Sequence, residues 1–362
     1  MCIFAEKEQK ETGGLQVMNE KKDTGRNANI DLIRTLCTLF VIMIHTTIKP
    51  FAGKALPSNL LLGGLLVSNG IFYLMSGRLN LAKEFHSGKE IITFYKKKIV
   101  SIFVPYILVS IALSFTDMYA ADEKDWSLFF SYTYTNIMSD NIKIHLWFMY
   151  CLTGFLLSVP FFSKFLHGSS DDELKILFWL AMGWNAVYVY LNLNFGVAFM
   201  YQGWILEKWA FIFVMGYMST RLINDKNKKF FYLAGVIGFA VSVLGQTYIP
   251  EHFTCWADLN PGFQFYIIAF FTFLEKEIRI NNDRVKRFLS FNAKYSFLIY
   301  LLHWHVLHAL APKIIKTEIG WLHFTATTVF TYCVSLLLAV LLENLFLRYV
   351  KKIVSRILKL NA

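Results

Sequence analysis

Mostly apolar blocks of roughly twenty residues recur along this chain, near 30–48, 60–81, 99–116, 145–163, 174–191, 204–220, 230–249, 259–274, 295–311 and 322–347. Each is about the length that carries a helix at ~1.5 Å per residue across ~30 Å of hydrocarbon. The pattern predicts an all-α, polytopic membrane bundle of about ten transmembrane helices. Residues 1–28 are polar and mixed in charge, lack the apolar core of a signal peptide, and are expected to form a disordered cytoplasmic tail, with Met18 as an alternative start. Residues 29–350 form one membrane domain, and 351–362 a basic cytoplasmic tail.

Composition agrees. Hydrophobic residues fill 56% of 362 positions and mean hydropathy is +0.44, too apolar for a soluble surface. Many of the aromatic residues suit lipid faces and interfaces, as do Trp126, Trp147, Trp204, Trp256 and Trp321 near expected span ends. The net charge of +11 could suggest nucleic acid, but the basic residues sit in short loops between apolar blocks, so that reading is set aside. With the N-terminus inside, the outer segments hold only Lys49, Lys54, Lys124, Lys143, Lys313 and Lys316, and the inner loops hold most of the rest. The asymmetry predicts both termini in the cytoplasm. Cys2, Cys37, Cys151, Cys255 and Cys333 are scattered without metal-ligand spacing, so neither a metal site nor a disulfide framework is expected.

Polar side chains inside a span are costly and usually face protein or water. In the first span, ten residues separate Arg34 from His45. Eleven steps of ~100° return to within about 20° of the same direction, so both share one face, ~16 Å apart along the axis. Arg34 then lies towards the cytoplasm and His45 towards the outer leaflet. An Arg can hold phosphate through charge-assisted bonds, and a His can serve as a general base. A coenzyme A arm has a reach comparable to that separation. The plain alternative is that both side chains snorkel to opposite headgroup layers.

The stretch Ile30-Asp31-Leu32-Ile33-Arg34 through Val41-Ile42-Met43-Ile44-His45-Thr46-Thr47 resembles the first helix of the acyltransferase-3 family of bacterial membrane O-acyltransferases, which carries R-x10-H. Phe72-Tyr73-Leu74-Met75-Ser76-Gly77 is similar to that family's second-span motif. His145-Leu146-Trp147-Phe148-Met149-Tyr150 is similar to its HLWF motif, and Tyr295 to His303 to its S-x-x-IY-x-x-H. The first helix and a His-Ala-Leu near the end of the ninth span resemble the enterobacterial common antigen O-acetyltransferase type. The resemblance implies acyl transfer, most simply from acetyl-CoA or another cytoplasmic acyl-CoA, to a hydroxyl of an extracytoplasmic or lipid-linked cell-surface carbohydrate. It implies a place in the bacterial inner membrane, no permanently bound cofactor, and catalytic roles for His45 and Arg34.

Further candidates each have a structural alternative. Lys96, Lys97 and Lys98 precede the third span, and Lys97 and Lys98 are candidates for clamping the donor phosphates, or else anchor the helix to the inner surface. The family often has Arg-x-x-Arg at this point, where this chain has Lys98 and Ser101. His145 and Trp147 could line the acceptor site or anchor the interface, and His303 could line the site or join two helices. His305 and His308 are expected to point elsewhere. Arg78 is expected to snorkel, and Glu343 to need a proton or a partner. The rival function is a secondary transporter or flippase, which buried polar residues also permit. Oligomeric state is left open.

Overall fold

The computed structural model describes residues 27–46, 54–120, 126–139, 142–195, 206–250, 260–317 and 319–360, without the side chains of 190–195. Among the described residues the chain is helical and contains no strand. The helices are α1 (Ala28–Ile44), α2 (Ala55–Asn80), α3 (Gly88–Lys98), α4 (Val104–Ala120), α5 (Phe129–Met138), α6 (Trp147–Gly168) and α7 (Asp171–Phe195). They continue with α8 (Lys208–Leu222), α9 (Lys228–Tyr248), α10 (Pro261–Lys276), α11 (Asp283–His305), α12 (Ala311–Ile314), α13 (Gly320–Leu342) and α14 (Arg348–Ile357).

Three π turns, Ile99–Phe103, Val306–Leu310 and Glu343–Leu347, join α3 to α4, α11 to α12 and α13 to α14. Among the described residues, five helical segments are long and apolar enough to cross a membrane: Ala55–Asn80, Gly88–Ala120, Ile144–Gly168, Lys228–Tyr248 and Gly320–Ile357. The other expected spans fall on α1, α8 and α10, of 17, 15 and 16 residues, and on α7 and α11, whose first turns are charged.

Boundaries differ from the apolar blocks where polar residues also favour helix. The expected tail gives up Asn27 and Ala28 to α1: the Asn27 side chain accepts the amides of Asn29 and Ile30, and Asp31 complements the positive end of the helix dipole. The rest of that tail lies outside the described residues. Ser87 and Asn282 cap α3 and α11 in the same way, so helix begins well before the apolar blocks at 99 and 295. The expected basic tail is largely helix, since α14 continues to Ile357.

At the centre, every residue of α8 from Phe211 to Ser219 is buried, as befits a helix apolar all round. It crosses α2 at Gly77 and Gly216. A Cβ on Gly77 would collide with the Phe213 carbonyl, and one on Gly216 with the Leu74 carbonyl and the Arg78 amide. Gly238 and Gly262 bring α9 and α10 together likewise. Small residues that let backbones touch are the means of helix association where lipid removes the hydrophobic drive.

The side-chain amide of Asn29 donates to the carbonyls of Glu275 (2.8 Å) and Ile278 (2.9 Å), tying the start of α1 to the end of α10. Arg78 does not simply snorkel: its Nε lies 3.2 Å from Glu275 Oε1. Glu343 has the partner its position requires, with Lys351 Nζ at 2.7 Å.

Candidate active site

A cavity of about 650 Å³ opens between α1, α2, α3, α6 and α11. Arg34 and His45 both line it, as their eleven-residue spacing predicts. Helix α1 ends at Ile44, so His45 is its C-cap, with its amide on the carbonyls of Ile42 and Met43. Helix α2 contributes Asn69, Phe72, Ser76 and Asn80, a single helical face. Helix α11 contributes Lys294, Phe297, Tyr300 and Trp304 at the same repeat. Lys98, Ser101 and Ile102, spaced i, i+3 and i+4, all reach the cavity from the end of α3 and the π turn that follows it.

The cavity has two chemically distinct ends. One is cationic, formed by Arg34, Lys98 and Lys294. The Lys98 ammonium also lies 5.2 Å above the Phe94 ring, as Lys83 does at 5.3 Å. A second, more open cavity of about 380 Å³ adjoins this end at Lys294 and adds Asp31, Lys286, Arg287, Ser290 and Phe291.

The other end is a cluster of imidazole and indole rings. His45 stacks on His303 at 5.5 Å and meets the edge of Trp304 at 4.9 Å. His145 lies 4.8 Å from His303 and stacks on Trp304 at 5.6 Å. Trp304 is ten residues beyond Lys294, ~15 Å along α11, which matches the Arg34–His45 separation on α1. His303 Nδ1 lies 2.6 Å from the Tyr300 carbonyl, which can only accept, so Nδ1 carries the proton and Nε2 keeps its lone pair. That buried Nε2 has no hydrogen-bond partner among the described residues. The Tyr300 hydroxyl donates to the His145 carbonyl and fixes the start of α6 against α11.

A family model described as an acyltransferase domain matches residues 27–340. The chain belongs to the acyltransferase-3 family. No curated protein and no solved structure matches it. The family match shows a membrane acyltransferase and does not reach the narrower enterobacterial type.

The structure brings Arg34, His45, Lys98, His145 and Trp147 of this acyltransferase to one cavity, with His303 directly behind His45. It does not bring Lys97, which is exposed on the outer side of α3 because successive helical residues diverge by ~100°. Lys96 serves the fold, its Nζ donating to the Leu358 carbonyl at 2.7 Å. His305 lines a separate apolar cavity, and His308 packs on Trp304. Sequence reasoning missed Lys294 and Trp304. Trp304 was within reach, being next to His303 in the quoted motif. Lys294 sits where a loop was expected, and only the early start of α11 gives it a face.

Proposed function

We propose that this membrane acyltransferase moves an acyl group, most simply acetyl, from acyl-CoA to a hydroxyl of an extracytoplasmic or lipid-linked carbohydrate, working in the bacterial inner membrane. The observation that supports the reading is one cavity with the cations Arg34, Lys98 and Lys294 at one end and His45 and His145 at the other, with His303 against both imidazoles. Arg34, Lys98 and Lys294 would hold the donor phosphates, the guanidinium by its planar fork and the ammoniums as point charges. Lys286 and Arg287 in the adjoining cavity suit the nucleotide end of the same donor.

At the far end His45 takes the proton of the acceptor hydroxyl as its oxygen attacks the thioester carbonyl. The carbon–sulfur bond then breaks, and the proton passes to the departing thiolate. His303 backs His45 and sets its plane. Trp147, Phe72 and Tyr300 offer flat apolar faces on which a sugar ring can lie. The test uses purified protein in proteoliposomes with radiolabelled acetyl-CoA, joined to mass spectrometry of surface glycans from a deletion strain. Labelled ester on the glycan fraction and an acetyl increment lost in the deletion are expected. Intact glycans with altered solute uptake would overturn the reading in favour of a transporter.

A further inference from the structure

Helix α14 has no fully buried residue, although it continues one of the longest helical segments of the chain. Its partly covered side, Val350, Lys351, Val354 and Leu358, rests on the protein. Lys351 pairs with Glu343, and Lys96 caps the Leu358 carbonyl, so the helix is held from the α13 side and from α3. The open side carries two parallel ridges at four-residue spacing. Tyr349, Ile353 and Ile357 are 61%, 56% and 72% exposed. Beside them run Arg348, Lys352 and Arg356, also exposed and followed by Lys359.

Residues i, i+4 and i+8 form a line along a helix, and neighbouring lines differ by ~100°. The outward face is therefore half apolar and half cationic, divided lengthwise. A soluble acidic partner would leave the apolar ridge unanswered, and hydrocarbon alone would leave the cations unanswered. A bilayer surface answers both, since acyl chains meet the apolar ridge while lipid phosphates meet the cations a few ångströms away. No acidic side chain lies on α14 itself to cancel the ridge.

We propose that α14 is an interfacial helix that binds anionic phospholipid. Tyr349, Ile353 and Ile357 lie in the acyl boundary, and Arg348, Lys352 and Arg356 gather phosphate headgroups. The assignment is independent of the acyl-transfer reading, because none of these residues lines the cavity.

The full chain, with its five cysteines replaced by alanine and Ile353→Cys or Lys352→Cys carrying a fluorophore, is reconstituted in nanodiscs of phosphatidylcholine with a fixed fraction of brominated lipid. At position 353, brominated phosphatidylglycerol is expected to quench severalfold more than the same fraction of brominated phosphatidylcholine. The combined Arg348→Gln, Lys352→Gln, Arg356→Gln variant should bring the two together, each cation contributing roughly fivefold at an anionic surface. High salt should act like the variant, and the 352 label should be quenched less than the 353 label by acyl-chain bromine. Equal quenching by both lipids in the parent chain would overturn headgroup selection. Fluorophores at 352 and 353 equally open to aqueous iodide would overturn the interfacial placement.

Discussion

Replacing His45 by Gln separates the two ends of the cavity. Gln keeps a polar side chain of similar length but cannot take a proton near neutral pH. Arg34 and His45 are eleven residues apart on α1, ~16 Å along the axis. Even for a fully charged imidazole, interaction with a donor phosphate at that range is only about 1 kcal/mol at an effective dielectric of ~20, roughly fivefold in affinity. Loss of a positioned base costs ~10²–10⁴-fold in turnover. The expected outcome is kcat reduced by at least a hundredfold, with acyl-CoA affinity within about fivefold of the parent. Equilibrium binding of a non-transferable acyl-CoA analogue measures the first quantity, and acetyl transfer at saturating donor the second. A variant whose affinity falls as far as its turnover would show that His45 holds the donor, and one that turns over normally would return His45 to a structural contact.

Three further outcomes follow from other parts of the molecule. Lys98→Met should raise the acyl-CoA KM by roughly tenfold or more, the value of a charge-assisted bond, while Lys97→Met, on the outer side of α3, should leave it unchanged; equal effects would refute the assignment of Lys98 to the cationic end. Gly216→Ala forces a methyl into the backbone of α2 and should cost about 1–3 kcal/mol or more, read as a lower Tm in detergent, with a parent-like Tm arguing against the close α2–α8 crossing. Cysteine labelling in intact cells should leave positions in 88–98 and 283–294 protected from impermeant reagent, and external labelling there would reverse the expected orientation.

Of the helices that build this site, α1, α2, α6 and the second half of α11 were legible from apolar blocks, because hydrocarbon leaves the backbone little choice but to bond to itself. The Arg34–His45 face was legible for the same reason, since one regular helix fixes relative direction by arithmetic alone. What was not legible depends on interruptions and on neighbours. Lys97 and Lys98 are equivalent in sequence, and only the packing of α3 decides that Lys98 faces inward. Arg78 resembles a snorkelling arginine until α10 places Glu275 beside it. Lys294 joins the site because α11 begins at Asp283, twelve residues before its apolar block, where hydropathy gives no signal.

The π turn at Ile99–Phe103 also bears on how this chain can change in length. A π turn accommodates about one residue more than an α-turn in the same rise. The chain can lose a residue inside that turn by reverting to a regular helix, with Lys98 still directed at the cavity and α4 still in place. The same deletion elsewhere between Gly88 and Ala120 would swing one part of the helix against the other by ~100°. Lys98 would then turn off the cavity wall if the loss fell between it and the α4 contacts but outside the turn. Single-residue loss is thus confined to one short window of a 33-residue helix, and that window borders the cationic end of the cavity.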